Sequence, residues 1–552
     1  MIGTARGTAN RPQKRSHKVA RYPAPIAGMD VSKSLGEMAL NSCVYTYNIM
    51  PLELGMKVRS GYREHQIAIE SAAGEGDGVH TVIPFDSVTE DGSKNKIFAV
   101  TNEGIWDTTA EGGTPSLVVT FGTQSSDAGY GTYAHYVDQG ENDVLFYADS
   151  VNGLFKYKAA DNSWANTSIT TGITEANVRT VTTFKNNVWF TLADSTVGYY
   201  LPVLASTGTV AAQYFGDKFQ HGGSLAGIFS WSVDGGAGLD DILVAVSTAG
   251  DVLVYAGSGP EADDWAMRGI YYIGEIPNSV RFGTEQGGEL YLLSALGITS
   301  LSDLLSGVDT SALSADIQGA SMAYKIAGSV RDRMKKTINL RGWEVATIPS
   351  EGGILVTSPQ INNDAPIQYF YSLATRGWGI WRDIPLTCFS EYKDNIYFGT
   401  ADNRLMILDG NVDDALLSPE NAAYNGNPIE FSILTAFSTL ELDVVYKRVK
   451  LIRPDFLAGR KPEHSSLIRY DFNIDEGLTF GLTDSGDLPV MVWDTGKWDE
   501  AVWGSENGAA FPSIGGTWGY GRYIAIATKG KTESETRLIG WDLVFDVGGP
   551  ML

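Results

Sequence analysis

Short runs of β-branched and aromatic residues alternate along the middle of the chain with polar breaks rich in Gly, Asp and Asn. The clearest case spans Asp394 to Asp409 (DNIYFGTADNRLMILD). Ile396, Tyr397 and Phe398 suit a strand, Gly399 to Asn403 supply a turn, and Leu405 to Leu408 return as a second strand. An isolated hairpin cannot bury its own apolar face. The chain supplies neighbours of the same kind at 96–106, 143–157, 187–200, 241–255, 289–299 and, in stretched form, 353–371. The seven units start at 96, 143, 187, 241, 289, 353 and 394, so they recur every 41 to 64 residues.

That interval matches the repeat length of a β-propeller, in which each four-stranded sheet packs face-on against the next and ring closure buries both faces. The pattern therefore predicts an all-β chain with a β-propeller of about seven blade-like units over 80–412. Stacked β-sandwiches with ordinary hairpins are the alternative, since no fixed Trp-Asp or Asp-box signature recurs. The abundance of Gly, 63 of 552 residues, fits many turns on either reading.

The longest interval holds a predicted helix over 314–338. Ser314 can cap its start, and Ile326, Val330, Met334 and Ile338 recur at four-residue spacing, with Ile317 earlier. Its basic end, Arg331 to Lys336 (RDRMKK), suits the negative end of the helix dipole and reads as solvated, or else as a contact for a polyanion or partner. Beyond a polar linker the strands lengthen: 429–437, 444–456, 467–474, 490–493, 523–527 and 538–545. Residues 427–552 are expected to form a β-sandwich-like domain, alone or interleaved with an extended and β segment at 23–79.

Residues 1–22 carry Arg6, Arg11, Lys14, Arg15, Lys18 and Arg21 before the first acid, Asp30. They read as a flexible basic arm, either merely solvated or docking on an acidic partner or nucleic acid. The chain as a whole is acidic, with a formal charge of −24, which argues against a general nucleic-acid-binding surface. Cys43 and Cys388 make no disulfide framework, and no membrane-length or signal-type apolar run occurs.

The search for chemistry returns no site. His17, His65, His80, His135, His221 and His464 show no zinc-type spacing. No nucleophile elbow or phosphate-cradling loop is present. Asp409 to Asp414 and Asp484 to Asp487 look like calcium loops but lack the distal Glu, so turn chemistry accounts for them. Asp263-Asp264-Trp265 and Trp498-Asp499-Glu500 set acids beside aromatics, as a sugar site would, but an acidic turn by a packing Trp is simpler. Trp343, Trp378, Trp381, Trp493, Trp498 and Trp503 are read as packing residues. No catalytic, cofactor-binding or metal residues are assigned, and the chain is not expected to be an enzyme. Loops 235–241 and 257–264 are candidate contact or gate loops by position alone.

Five stretches carry a resemblance: Pro25 to Ser32 (PIAGMDVS), Cys43 to Asn48 (CVYTYN), Glu53 to Tyr62 (ELGMKVRSGY), Pro428 to Phe431 (PIEF) and Lys447 to Asp455 (KRVKLIRPD). Together with the layout, the chain resembles the tail nozzle, or packaged-DNA stabilisation protein, of short-tailed bacteriophages. The resemblance implies a structural virion protein made in the host bacterial cytoplasm and placed in the virion tail. It implies a homo-oligomeric ring, a hexamer, under tail adaptor or tube proteins, binding fibres, spikes or a needle. Such a ring continues and gates the DNA channel for genome retention and ejection, and DNA passes without sequence-specific contacts. The competing reading is a glycan-binding or glycan-hydrolysing propeller, a depolymerase or lectin; a bacterial protein-binding scaffold is a third.

Overall fold

A computed structural model describes residues 17–71, 77–88, 92–166, 168–234, 239–305, 322–361, 367–416, 426–475, 509–512, 515–516 and 519–550. The described residues are all-β, 52% strand and 6% helix, built from many small antiparallel sheets. Six of the seven predicted hairpins are the second and third strands of separate sheets, and the one at 353–371 holds the second and third places in a nine-stranded sheet whose first four strands are counted here as sheet 6. In chain order the sheets occupy residues 81–120 (sheet 1), 131–165 (sheet 2), 178–214 (sheet 3), 225–272 (sheet 4), 283–300 (sheet 5), 344–382 (sheet 6) and 386–408 (sheet 7). Sequence inspection found the hairpins and missed the strand that precedes each one.

Sheet 5 has only three strands. The chain then runs through a short helix, Leu301–Leu305, a 3-10 turn at Met322–Ile326 and a helix at Ala327–Thr337. The 3-10 turn packs on Gly297–Ser300, the outer strand of sheet 5, and so covers an edge that would otherwise present unpaired backbone groups. This detour explains the longest repeat interval. Of the predicted helix over 314–338, the described part is a 3-10 turn at Met322–Ile326 followed by an α-helix at Ala327–Thr337, and Ser314 and Ile317 lie outside the described residues. The apolar spacing held because Ile326, Val330 and Met334 all reach the core, but Ile326 does so from the 3-10 turn. The basic end is only partly solvated. Arg333 is buried, with Nε donating to Ser358 Oγ at 3.2 Å and Nη2 to the Pro359 carbonyl at 2.6 Å.

Sheet 7 is completed from far away. Its outermost strand is Arg63–Gln66, which pairs with Leu405 to Ile407 some 340 residues later. Gly399, expected in the turn, lies inside the strand Asn395–Thr400. A Cβ there would approach the Val79 side chain to 2.7 Å and its carbonyl to 2.8 Å, so Gly permits close backbone packing.

The remaining strands come from both chain ends. One sheet joins Cys43–Tyr47, Asn427–Thr435, Ile524–Thr532 and Glu463–Tyr470. It continues sheet 6 through a parallel pairing of Tyr47 with Ile380. The other joins Ile49–Leu52, Gly55–Val58, Thr536–Pro550, Val445–Ala458 and Ala509–Pro512, with Lys18–Pro23 and Gly515–Gly516 added at its sides. Ile433, Phe431 and Ile526 from the first sheet share one core with Ile452, Phe456, Leu543 and the fully buried Trp541 from the second.

Two expected boundaries change as a result. The basic arm does not extend to residue 22, because Lys18–Pro23 is a strand paired with Gly540 to Phe545. Its fixing is local: the Tyr22 ring is buried edge-on against Trp541, and His17 Nδ1 lies 2.6 Å from Asp546 Oδ1. The 23–79 segment is not a unit of its own, since its strands are divided between the two terminal sheets and sheet 7. Residues 490–493 lie outside the described residues. No described helix is long and apolar enough to cross a membrane.

Candidate functional site

The first strand of every numbered sheet contributes to the wall of one cavity. Thr81, Thr132, Thr180, Gly227, Thr284, Thr347 and Ser390 stand for sheets 1 to 7 in turn around a volume of about 420 Å³. Small hydroxylated residues recur here because each first strand alternates between the apolar packing between sheets and a polar inner wall. Thr180-Val181-Thr182 is the plainest example, with Val181 in the core between sheets 2 and 3.

Polar bonds cross this space. The Tyr133 and Ser390 hydroxyls are 2.8 Å apart and link sheets 2 and 7. Arg281, just ahead of the first strand of sheet 5, reaches further. Its Nη1 donates to Thr81 Oγ1 at 2.7 Å and to the Gly131 carbonyl at 3.1 Å, and its Nη2 to the His80 carbonyl at 2.8 Å. Its Nε lies 3.0 Å from Glu344 Oε1 on sheet 6. One side chain thus ties four sheets together. Burial pushes the Glu344 carboxyl above its ordinary value, and the Arg281 charge opposes that shift. A carboxylate so engaged serves as a structural counter-ion.

One end of the cavity is rich in arginine. Tyr130, Arg281 and Arg341 line a small void beside Trp343. Arg341 donates from Nη1 to Ser150 Oγ at 2.6 Å, lies 3.3 Å from Asp127 through Nε, and sits 5.9 Å over the Tyr130 ring. Of these residues the sequence reading names only Trp343, as a packing residue. A readable signal existed: single charges flanked by apolar residues at a strand start, in Val280-Arg281-Phe282 and Trp343-Glu344-Val345.

The sequence-level candidates fall elsewhere. Asp409, Asp413 and Asp414 face three different arginines, Arg63 at 3.1 Å, Arg59 at 2.6 Å and Arg404 at 2.8 Å. Ion pairing, more than turn chemistry, accounts for that acidic run; Asp484 to Asp487 lies outside the described residues. Asp264 binds the Ser258 amide at 3.0 Å and hydroxyl at 2.8 Å, so it closes its own loop, and Lys185 Nζ donates to the Gly257 carbonyl at 3.0 Å. Trp265 stacks on Tyr255 at 5.3 Å. Trp343, Trp378 and Trp381 are fully buried; Trp493, Trp498 and Trp503 lie outside the described residues, as do residues 235–238.

The histidines are dispersed. His80, His135 and His221 each face one aspartate, Asp77, Asp143 and Asp251, while His65 and His464 contact the Thr108 and Pro462 carbonyls. Among the described residues no group of three or more His, Cys, Asp or Glu side chains is placed to hold a metal ion. Both cysteines are buried, and burial pushes the Cys388 thiol up to about 12.

No protein-family model matches the chain, and no curated protein is similar to it in sequence. Solved structures give distant likenesses. Raptor from Chaetomium thermophilum is 11% identical with a TM-score of 0.38, over 63% of this chain and 28% of that one. The computationally designed Ika8 protein is 7% identical with a TM-score of 0.32, over 57% of this chain and 80% of that one. BBS1N, solved with ARL6DN, is 10% identical with a TM-score of 0.27, over 43% of this chain and 72% of that one. At these TM-scores the likenesses carry no argument about this protein.

Proposed function

We propose that sheets 1 to 7 are the blades of a seven-bladed propeller closed by Arg63–Gln66, and that the two terminal sheets form a β-sandwich beside it. On this platform the protein acts as a structural component of a virion, the tail nozzle of a short-tailed bacteriophage, and not as an enzyme. The architecture rests on the cavity that draws one strand from every sheet.

The functional reading is carried by one observation. The five stretches that resemble the nozzle family come from opposite ends of the chain, yet four lie in or along the strands of the paired terminal sheets. The fifth, Pro25 to Ser32, is bridged to them through Met29 and Cys43. The resemblance therefore belongs to one place in the fold.

On this reading the DNA path does not run through the propeller. A space of about 420 Å³, crossed by Arg281, admits no duplex. The channel is the axis of a ring of copies, a hexamer, joined to adaptor or tube proteins and to fibres, spikes or a needle. A net charge of −24 per copy would keep phosphate from sticking to acidic walls. The glycan reading draws little from the aromatic residues, since Trp265 is stacked on Tyr255 and Trp343, Trp378 and Trp381 are inside.

Negative-stain microscopy of the purified protein tests the proposal. Rings with a central hole are the expected result. Monomers at every concentration, alone and with neighbouring tail proteins, would overturn it.

A further inference from the structure

The terminal sheet built from Lys18–Pro23, Thr536–Pro550 and Val445–Ala458 has one face in the core and one outside. An antiparallel sheet of this kind alternates apolar residues inwards with polar ones outwards. Leu543 and Phe545 point into the core, and Asp542 and Asp546 obey the rule on the outer face. Val544, between the two aspartates, breaks it. Its cross-strand partners are Val19 on one side and Leu451 on the other, and Leu451 is paired in turn with Gly516. Cross-strand partners share a face, so the four residues make one apolar strip across the sheet. Val19 is 73% exposed and Leu451 41% exposed.

Charged rows border the strip on both sides. Asp542 is paired with Arg21 and Arg453, and Arg453 Nη2 lies 2.8 Å from its Oδ2. Asp546 is paired with the exposed Arg448, and Lys450 Nζ lies 2.8 Å from its Oδ2. An apolar centre inside a polar rim is the anatomy of a protein interface.

The chain also divides its charge. Residues 67–416, which hold the seven numbered sheets, contain 42 of the 65 acidic residues but only 19 of the 41 basic ones. The rest of the chain is nearly balanced. Its first 16 residues, which lead into Lys18–Pro23, contain Arg6, Arg11, Lys14 and Arg15 and no acid. The strip therefore lies on the part of the chain that an acidic body attracts, and the same chain supplies such a body. A ring of identical copies closes through a heterologous contact, in which two different surfaces of one subunit meet. Two acidic bodies facing each other would repel.

We propose that the strip of Val19, Val544 and Leu451, with its bordering arginines, is one side of the contact between copies of this chain. Its occupant is the acidic seven-sheet body of the next copy. The inference rests on the ring reading above and adds to it which surface joins the subunits.

Mass photometry and sedimentation of the full chain, at low and high salt, test this. Leu451→Asp alters the strip, and the pair Arg21→Glu and Arg453→Glu reverses its border. Lys33→Glu, exposed in the loop ahead of Cys43–Tyr47, is the control. Both altered chains should keep the parent Tm within about 2 °C, since the changed side chains reach solvent. Each should need at least about tenfold more protein than the parent for half assembly. High salt should weaken assembly of the parent, and Lys33→Glu should assemble as the parent does. Excess Leu451→Asp mixed with the parent should convert rings into one-to-one pairs, because the variant keeps the opposite, acidic surface. Rings that form equally well in both altered chains would overturn this interface and leave the ring reading standing. A folded variant that no longer binds the parent would overturn the meeting of two different surfaces. A parent that forms no rings, alone or with neighbouring tail proteins, would overturn the ring reading and this interface together.

Discussion

Replacing Arg281 with Met should destabilise the protein by about 3–5 kcal/mol, the usual cost of stranding one member of a buried ion pair. The change leaves Glu344 buried without its counter-ion and removes the guanidinium donors to Thr81 Oγ1 and to the Gly131 and His80 carbonyls. Chemical unfolding at neutral pH is the measurement. The double variant with Glu344→Met should recover a substantial part of the loss, because it removes the stranded charge. The defect should also depend on pH. Glu344 already has a raised folded-state pKa from burial, and losing Arg281 raises it further. A raised folded pKa means the folded state binds the proton more tightly, so the defect shrinks as pH falls. It is smallest below the unfolded glutamate value of about 4.3 and grows as pH rises through the folded value. A defect independent of pH would show that lost packing, and not the stranded carboxylate, dominates.

A loss of similar size is expected for Arg59→Met, at the junction between the terminal sheets and sheet 7. The Arg59 side chain is fully buried and grips Asp413 with two bonds, Nη1 to Oδ1 at 2.7 Å and Nη2 to Oδ2 at 2.6 Å. Its Nε donates to Asn48 Oδ1 at 3.0 Å, and the same oxygen accepts the Arg382 amide at 2.7 Å. One guanidinium therefore joins the segment leading into Arg63–Gln66 to the segment leaving sheet 7. The expected cost is about 3–5 kcal/mol. Lys cannot reproduce the paired bonds, so Arg59→Lys should recover little. Limited proteolysis offers a local check: cleavage near residues 59–66 should accelerate before the remaining sheets open. Unchanged cleavage there would mean that the strand Arg63–Gln66 is held by its pairing alone.

The sequence made the hairpins legible because their strands are apolar, β-branched and aromatic, and their turns are Gly, Asp and Asn. The first strands escaped notice because one of their faces is hydroxylated; Thr180-Val181-Thr182 alternates over too short a span to stand out. The four-residue spacing runs through Ile326 without marking the change there from a 3-10 turn to an α-helix. The charged cluster was missed for a different reason. Arg281 and Glu344 are bridged to each other, but Arg281 also binds residues about 200 positions earlier, and no local pattern encodes such a partner. The same holds for Asp413, which looked like part of a calcium loop until Arg59 was placed beside it.

The strand at Arg63–Gln66 has a consequence for how the protein comes into being. It leaves the ribosome early, yet its partner at Leu405 to Ile407 follows about 340 residues later. Lys18–Pro23 waits longer still, for Gly540 to Phe545. Joining ends that far apart costs about 5 kcal/mol in loop entropy before any contact repays it. Sheets 1 to 4 can form as they emerge, each from consecutive or nearly consecutive strands, while the head of the chain stays unpartnered. Birth of this protein thus runs from the middle outwards: Arg63–Gln66 is committed only after Ile407 is made, and Lys18–Pro23 only after Phe545.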